Sequence, residues 1–209
     1  MESIIKYLTA KYSPVGIIVY GSFSNGTNNS HSDFDALLIV SDGAAIHDTE
    51  TVNGVELDVF VYPRTVFDGE FDASEYVQVW DGKILLDSDG TAALLKKTVC
   101  DYIRDLPKKT DSAIRESIVW CEKMLHRAAR GDTEGCFRWH WLLVDSLEIY
   151  CDICGMHYFG PKKSLSSMKD RDPQSAELYG EALAALDYTA LQRWIGRLRT
   201  LYESEKIKI

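Results

Sequence analysis

The sequence predicts an α+β protein in which a small mixed sheet is followed by an antiparallel helical bundle. Short apolar runs bounded by turn residues fill roughly the first ninety positions, which is typical of strands in a small sheet. The remaining residues carry apolar side chains at helical spacing. We therefore expect two domains, residues 1–90 and residues 91–209, divided at the Asp-Ser-Asp-Gly turn at 87–90.

The first predicted domain begins with a helix over residues 2–12, which Pro14 ends. Strands are predicted over 15–20, 33–40 and 56–63, with an edge strand over 83–87. Residues 21–32 are predicted to be a loop because nearly all of them are small or polar. Asn53-Gly54 predicts a hairpin turn ahead of the third strand, since both residues readily adopt positive φ angles.

The second predicted domain is a bundle of helices joined by short connections, which favour antiparallel neighbours. The periodic segments are 91–106, 111–130, 133–154, 173–186 and 188–206. Asp111, Thr133 and Asp172 are the expected N-caps, and Gly131 and Gly155 stand where helix C-termini place glycine. In the aromatic helix, we expect Trp141, Val144 and Ile149 to lie in the core.

Charge and hydropathy exclude several classes of protein. The formal net charge is −9, and the basic residues occur as lysine pairs rather than tracts, which argues against binding a long nucleic acid. No apolar run approaches the roughly 20 residues that span a bilayer, and the N-terminus lacks the pattern of a secretory signal. We expect a cytoplasmic protein; its oligomeric state is left open.

Three aspartates are predicted to converge on one face of the sheet. Side chains alternate along a strand, so Asp33 and Asp35 point the same way. Asp58 points away from the apolar side of its own strand, and pairing the two strands would bring all three carboxylates together. Carboxylates this close repel unless they share a cation or a proton, and Mg²⁺ is the leading oxygen-bound candidate.

The residues before the aspartates supply a complementary feature. Gly21-Ser22 follows a buried strand, where small residues permit close approach and main-chain N–H groups can contact phosphate oxygens. A phosphate-binding turn beside carboxylates that hold a metal is what phosphoryl or nucleotidyl transfer requires.

This pattern resembles a known family. Gly21-Ser22-Phe23-Ser24-Asn25-Gly26, then Ser32-Asp33-Phe34-Asp35, and Asp58 within an apolar strand are similar to the signature of the DNA polymerase beta-like nucleotidyltransferases. The resemblance covers residues 15–61 and points to the branches that modify small molecules, including the aminoglycoside and lincosamide antibiotic nucleotidyltransferases. One departure is Asn25, which stands where many minimal members carry arginine.

The resemblance implies a role for each matched residue. Asp33, Asp35 and Asp58 would be the catalytic and metal-ligating residues, holding two Mg²⁺ ions, and Asp58 would bind the catalytic metal or accept the proton of the incoming hydroxyl. Gly21, Ser22 and Ser32 would bind the nucleotide. The implied reaction moves a nucleoside monophosphate from a triphosphate such as ATP to a hydroxyl of a small acceptor, releasing pyrophosphate.

The acceptor is expected in the cleft between the domains, and the acidic balance favours a cationic one such as an aminoglycoside. Asp145 or Glu148 would contact or deprotonate it, or would belong to an ordinary helix surface. Lys162 and Lys163 either reach the triphosphate or lie in a solvated turn. The five histidines are expected in loops or helices and form no catalytic pattern.

Two other functions remain open at this stage. The first is an enzyme of the same fold that adds nucleotides to a protein or an RNA end, as antitoxin-type minimal members are thought to do. The second is a non-catalytic nucleotide-binding module, which would tolerate loss of the carboxylates, whereas Asp33, Asp35 and Asp58 are all present.

Overall fold

A six-stranded mixed sheet is the centre of the first half of the chain. The structure is a computed structural model, and it describes residues 1–206. The elements in order are α1 (Glu2–Tyr12), β1 (Gly16–Val19), α2 (Gly21–Asn25), β2 (Phe34–Val40), β3 (Ile46–Asp48), β4 (Thr51–Val52), β5 (Val55–Pro63), two 3₁₀ segments (Arg64–Val66 and Ala73–Val79), β6 (Lys83–Asp87) and α3 (Thr91–Asp105).

The strand order is β3-β5-β2-β1-β6, with β4 paired to β5. β2 and β5 run parallel, and the other pairs are antiparallel. On one side of the sheet, Ile4 and Leu8 of α1 pack into an apolar cluster with the inward side chains of the central strands. The Asn53-Gly54 hairpin turn is confirmed, because both residues have positive φ angles of 53° and 79°.

Helix α3 packs on the sheet and is part of the same compact unit, so the predicted domain boundary at residue 90 is wrong. The chain separates into two units, Met1–Leu106 and Pro107–Ile209, which we call the sheet unit and the helical unit. Ala92, Leu95 and Val99 of α3 are fully buried. In addition, Lys96 donates a hydrogen bond to the Gly82 carbonyl. The amphipathic face of α3 therefore completes the core of the sheet unit, a contact that helical periodicity alone does not reveal.

The predicted loop at 21–32 also needs correction, because its first five residues form α2. This single helical turn begins directly after β1 and ends at Gly26, whose φ angle is 78° and whose N–H donates to the Ser22 carbonyl. A segment this short has no periodic apolar pattern, which explains why the sequence does not predict it.

The helical unit contains five helices among the described residues. They are α4 (Asp111–Ala128), α5 (Thr133–Ile153), α6 (Pro161–Arg171), α7 (Pro173–Ala184) and α8 (Tyr188–Lys206). Their core surrounds Trp194, whose indole N–H donates to Ser146 Oγ at 2.8 Å. None of the described helices combines the length and apolar character needed to cross a lipid bilayer.

Helix α6 is absent from the sequence prediction, which places a turn at 158–165. Pro161 occupies the first helical turn, where its missing N–H costs nothing, and Gly160 precedes it with a φ angle of 86°. Gly160-Pro161 is predicted to interrupt the helices, whereas in the structure it begins α6.

Several side chains of the helical unit also differ from prediction. The N-caps of α4 and α5 are Thr110 and Asp132, each one residue earlier than expected, whereas Asp172 is confirmed as a cap. Trp141 and Val144 are 43% and 64% exposed and not in the core, although Ile149 is buried. Helix α5 is apolar on more than one face, so periodicity could not identify the buried one.

The packing of α3 on the sheet leads to a stability prediction. Leu95→Ala should lower the free energy of unfolding by about 2–5 kcal/mol, because it removes a fully buried side chain. Leu94→Ala is the matched control on the same helix, since Leu94 is 52% exposed and should cost less than about 0.5 kcal/mol. Chemical denaturation measures both, and equal losses would contradict the assignment of α3 to the sheet unit.

Candidate functional site

The three predicted aspartates lie together on one face of the sheet. The parallel pairing of β2 and β5 places Asp35 directly beside Asp58, and Asp33 precedes β2 by one residue. One carboxylate oxygen from each residue lies within 4.8 Å of the others. Asp33 is exposed, and Asp35 and Asp58 are partly buried, so the cluster is open to a ligand.

The cluster has the composition of a site for a hard divalent cation. At an effective dielectric constant near 20, two unit charges about 5 Å apart repel by about 3 kcal/mol, so a shared cation would relieve a substantial cost. Three carboxylates provide only oxygen ligands, which suit Mg²⁺ better than softer metals. The residues present therefore fit the metal that the sequence predicts.

Gly21 packs directly against Asp35 of the cluster. It has a φ angle of 64°, and a Cβ atom built at this position would lie 2.0 Å from Asp35 Oδ2. No other amino acid fits here unless Asp35 moves. The structure thus couples the predicted phosphate-binding turn directly to the predicted metal ligands.

Ser22 and Ser32, the other predicted nucleotide-binding residues, lie in different surroundings. Ser22 follows Gly21 in α2 and is 2% exposed. Ser32 Oγ accepts a hydrogen bond from the Asn29 N–H at 3.0 Å. Ser32 and Asp33 also line a polar cavity of about 270 Å³, together with Ser30, His31, Gly54 and Glu56. The roles of both serines in nucleotide binding stay predictions.

His47 contacts the cluster from a strand, whereas the histidines are expected in loops or helices with no catalytic pattern. It lies on β3, and its Nε2 is 2.6 Å from Asp58 Oδ1. The imidazole ring stacks on Phe60 with a centroid separation of 4.2 Å and an interplanar angle of 3°. β3 has only three residues, too few for a periodic signal. The available signal was the Asn-Gly hairpin, which returns the preceding segment alongside β5.

Tyr20 is a second neighbour that sequence reasoning missed. Its side chain is 6% exposed, and its main-chain N–H donates to the Asp35 carbonyl at 3.1 Å. Burial, together with the negative charges of Asp58 and Asp35, raises the pKa of Tyr20 well above its ordinary value. Tyr20 therefore stays a neutral phenol beside the carboxylates at physiological pH.

A separate groove of about 480 Å³ lies between α4 and α5 of the helical unit. Its lining combines acidic and aromatic side chains and comprises Lys109, Ala113, Glu116, Ser117, Trp120, Asp145, Glu148 and Ile149. It thus contains Asp145 and Glu148, the two acidic residues predicted from the sequence as candidate acceptor contacts. Three carboxylates against one ammonium group make the groove negative.

Hydrogen bonds hold the acidic side chains of this groove in place. Asp145 Oδ2 accepts from the Trp141 indole N–H at 2.7 Å. Lys109 Nζ lies 2.7 Å from Asp152 and 3.2 Å from Glu148, and the bond to Asp152 is the main reason that the pKa of Lys109 is raised. Lys162 and Lys163 lie in the first turn of α6, outside the residues that line the groove.

One family model matches the first part of the chain. Residues 1–82 match the family model described as nucleotidyltransferase domain, which confirms the resemblance predicted from the glycine-serine turn and the three aspartates. No curated protein matches the sequence.

Among solved structures, the chain is similar to a nucleotidyltransferase-like protein from Exiguobacterium sibiricum 255-15. The two sequences are 15% identical, and the alignment covers 98% of this chain and 74% of that one with a TM-score of 0.40. Similarity at this level bears on neither residue roles nor activity.

The close contact at Gly21 leads to a prediction with a built-in control. Gly21→Ala and Gly26→Ala both place a side chain at positive φ, but only the first meets Asp35; nothing lies within 4 Å of a Cβ at Gly26. Both variants should lose about 1–2 kcal/mol of stability. Only Gly21→Ala should also weaken Mn²⁺ binding, by at least about tenfold, because Asp35 must move.

Denaturation and calorimetric titration with Mn²⁺ measure the two effects separately. Equal losses of Mn²⁺ affinity in the two variants would show that Gly21 matters for its backbone conformation alone.

Proposed function

Because residues 1–82 match the nucleotidyltransferase domain family, we propose that this chain transfers a nucleoside monophosphate from a nucleoside triphosphate to a hydroxyl of a small acceptor. The observation that carries the proposal is the convergence of Asp33, Asp35 and Asp58 beside the turn at Gly21. We place the enzyme in the cytoplasm, where it would use a triphosphate such as ATP and Mg²⁺.

In this proposal, each side chain has a distinct task. Asp33, Asp35 and Asp58 would hold two divalent ions, and the turn at Gly21 and Ser22 would bind the phosphate chain, with Ser32 beside it. Such ions, when bound, would supply positive charge that offsets the charge of the phosphates and would favour ionisation of the attacking hydroxyl. The hydroxyl oxygen forms a bond to the α-phosphorus as the bond to pyrophosphate breaks. The hydroxyl proton passes to Asp58 or to solvent.

We further propose that the acceptor carries positive charge and binds the groove of the helical unit. Glu116, Asp145 and Glu148 would attract ammonium groups, and Trp120 lines the same groove. Trp141 is half exposed and orients Asp145 through its indole N–H. A hydroxylated polyamine such as an aminoglycoside antibiotic has this chemistry, and nucleotide transfer to it would confer resistance.

Substituting the aspartates tests the reaction. Asp33→Asn and Asp35→Asn each keep the side-chain shape but remove a metal-binding charge, so transfer should fall by at least about 100-fold with the fold retained. Asp42→Asn, an exposed aspartate after β2, should retain activity. Pyrophosphate release is measured with ATP, GTP, CTP and UTP against a panel of aminoglycosides, with and without chelator. Near-normal turnover by Asp35→Asn, or turnover in excess chelator, would contradict the proposed chemistry.

Substituting the groove tests the acceptor assignment. Asp145→Asn and Glu148→Gln should each raise the acceptor's KM about tenfold, equivalent to about 1.4 kcal/mol, because a charge partner of the ammonium group is lost. The triphosphate Kd should change less than about twofold. Glu177→Gln, on the exposed surface of α7, is the matched charge control. The assignment fails if the groove variants weaken triphosphate binding and leave the acceptor's KM unchanged.

A further inference from the structure

We propose that His47 is a positioning residue for Asp58. Its imidazole N–H holds the Asp58 carboxylate in the orientation that completes the three-aspartate cluster, and thereby strengthens divalent-cation binding. The inference rests on the metal site of the proposed function, and it extends that site to a side chain on a neighbouring strand.

The first argument is the contact itself. His47 Nε2 lies 2.6 Å from Asp58 Oδ1. An ionised carboxylate only accepts hydrogen bonds, so the proton of this bond belongs to Nε2, and Nδ1 carries the lone pair in the neutral ring. The hydrogen bond involves Oδ1 of Asp58 and does not involve Oδ2 of the same carboxylate. A side chain that is 39% exposed, as Asp58 is, would otherwise rotate among several orientations.

The second argument is that the imidazole ring is itself held in place. In the antiparallel register of β3 and β5, His47 lies opposite Phe60, two residues along from Asp58 on the same face. The His47 and Phe60 rings are nearly parallel, with centroids 4.2 Å apart. This stacking fixes the ring plane, and with it the direction of the N–H group toward Asp58.

The third argument is the anchoring of β3. Asp48 is the next residue, so its side chain points to the opposite face, where it is 4% exposed. It accepts hydrogen bonds from Lys11 Nζ at 3.0 Å, from the Tyr12 hydroxyl at 2.8 Å and from the Glu50 N–H at 3.0 Å. Helix α1 therefore holds the short strand that carries His47.

Together these contacts give His47 the position of an outer partner to a metal ligand. Hydrogen bonds to ligating carboxylates fix their orientation, and losing such a partner typically lowers metal affinity by roughly 10–100-fold. The contact occupies Asp58 Oδ1 from the side of β3, so His47 acts on the orientation of the carboxylate.

The experiment separates the N–H donor from the ring. In His47→Phe, the aromatic stacking on Phe60 is retained and the donor is lost. In His47→Gln, an amide N–H is retained at a similar reach and the ring is lost. Mn²⁺ binding is titrated on the full chain without nucleotide, by electron paramagnetic resonance of the free ion. We expect a roughly 10-fold weaker Kd for His47→Phe and a Kd within about threefold of wild type for His47→Gln.

A double substitution localises the effect. In the Asp58→Asn background, His47→Phe should change the Mn²⁺ Kd by less than about twofold, because the partner through which His47 acts is already altered. Thermal unfolding of every variant establishes that the fold is retained.

Each contrary result has a distinct meaning. A His47→Phe variant that is folded and binds Mn²⁺ like the wild type overturns the role of His47 and leaves the metal site standing. An equal loss in the Asp58→Asn background shows that His47 acts through another residue. A wild-type protein without Mn²⁺ affinity overturns the metal site, and this inference with it.

Discussion

The parallel pairing of β2 with β5 is the constraint on which the site depends. Its register sets Asp35 beside Asp58, and the alternation of side chains then brings Asp33 to the same face. A slip of one residue would turn Asp58 toward the apolar cluster beneath α1 and would bring Leu57 or Val59 to the carboxylate face. Burial of those apolar side chains therefore specifies the position of the acidic ones.

The well-packed strands of the sheet hold the three carboxylates together despite their mutual electrostatic repulsion. The carboxylates repel one another, yet the strands that carry them cannot separate without exposing the fully buried Leu37, Leu38 and Val59. The sheet unit thus holds the site's geometry before any cation binds. Carboxylates held in this way would lose little conformational entropy on binding a cation.

The parts of the fold that follow a regular pattern could be predicted from the sequence. The strands that carry Asp35 and Asp58 have strong apolar patterns, and their alternation sufficed to predict the acidic cluster. What escaped prediction depends on tertiary contacts or on very short elements. His47 lies on a three-residue strand, too short for a periodic pattern, and its place beside Asp58 comes from the pairing of that strand with β5. Likewise, the exposure of Trp141 depends on which face of α5 meets its neighbours.

The close approach of Gly21 to Asp35 has a consequence for how such chains diverge. A Cβ atom at position 21 would overlap the carboxylate at position 35. A side chain can therefore be accommodated at 21 only once the side chain at 35 has become shorter. Related chains should therefore change at the two positions together, aspartate first and glycine afterwards. This chain carries glycine at 21 together with aspartate at 35, the one pairing of the two in which the carboxylate keeps its place.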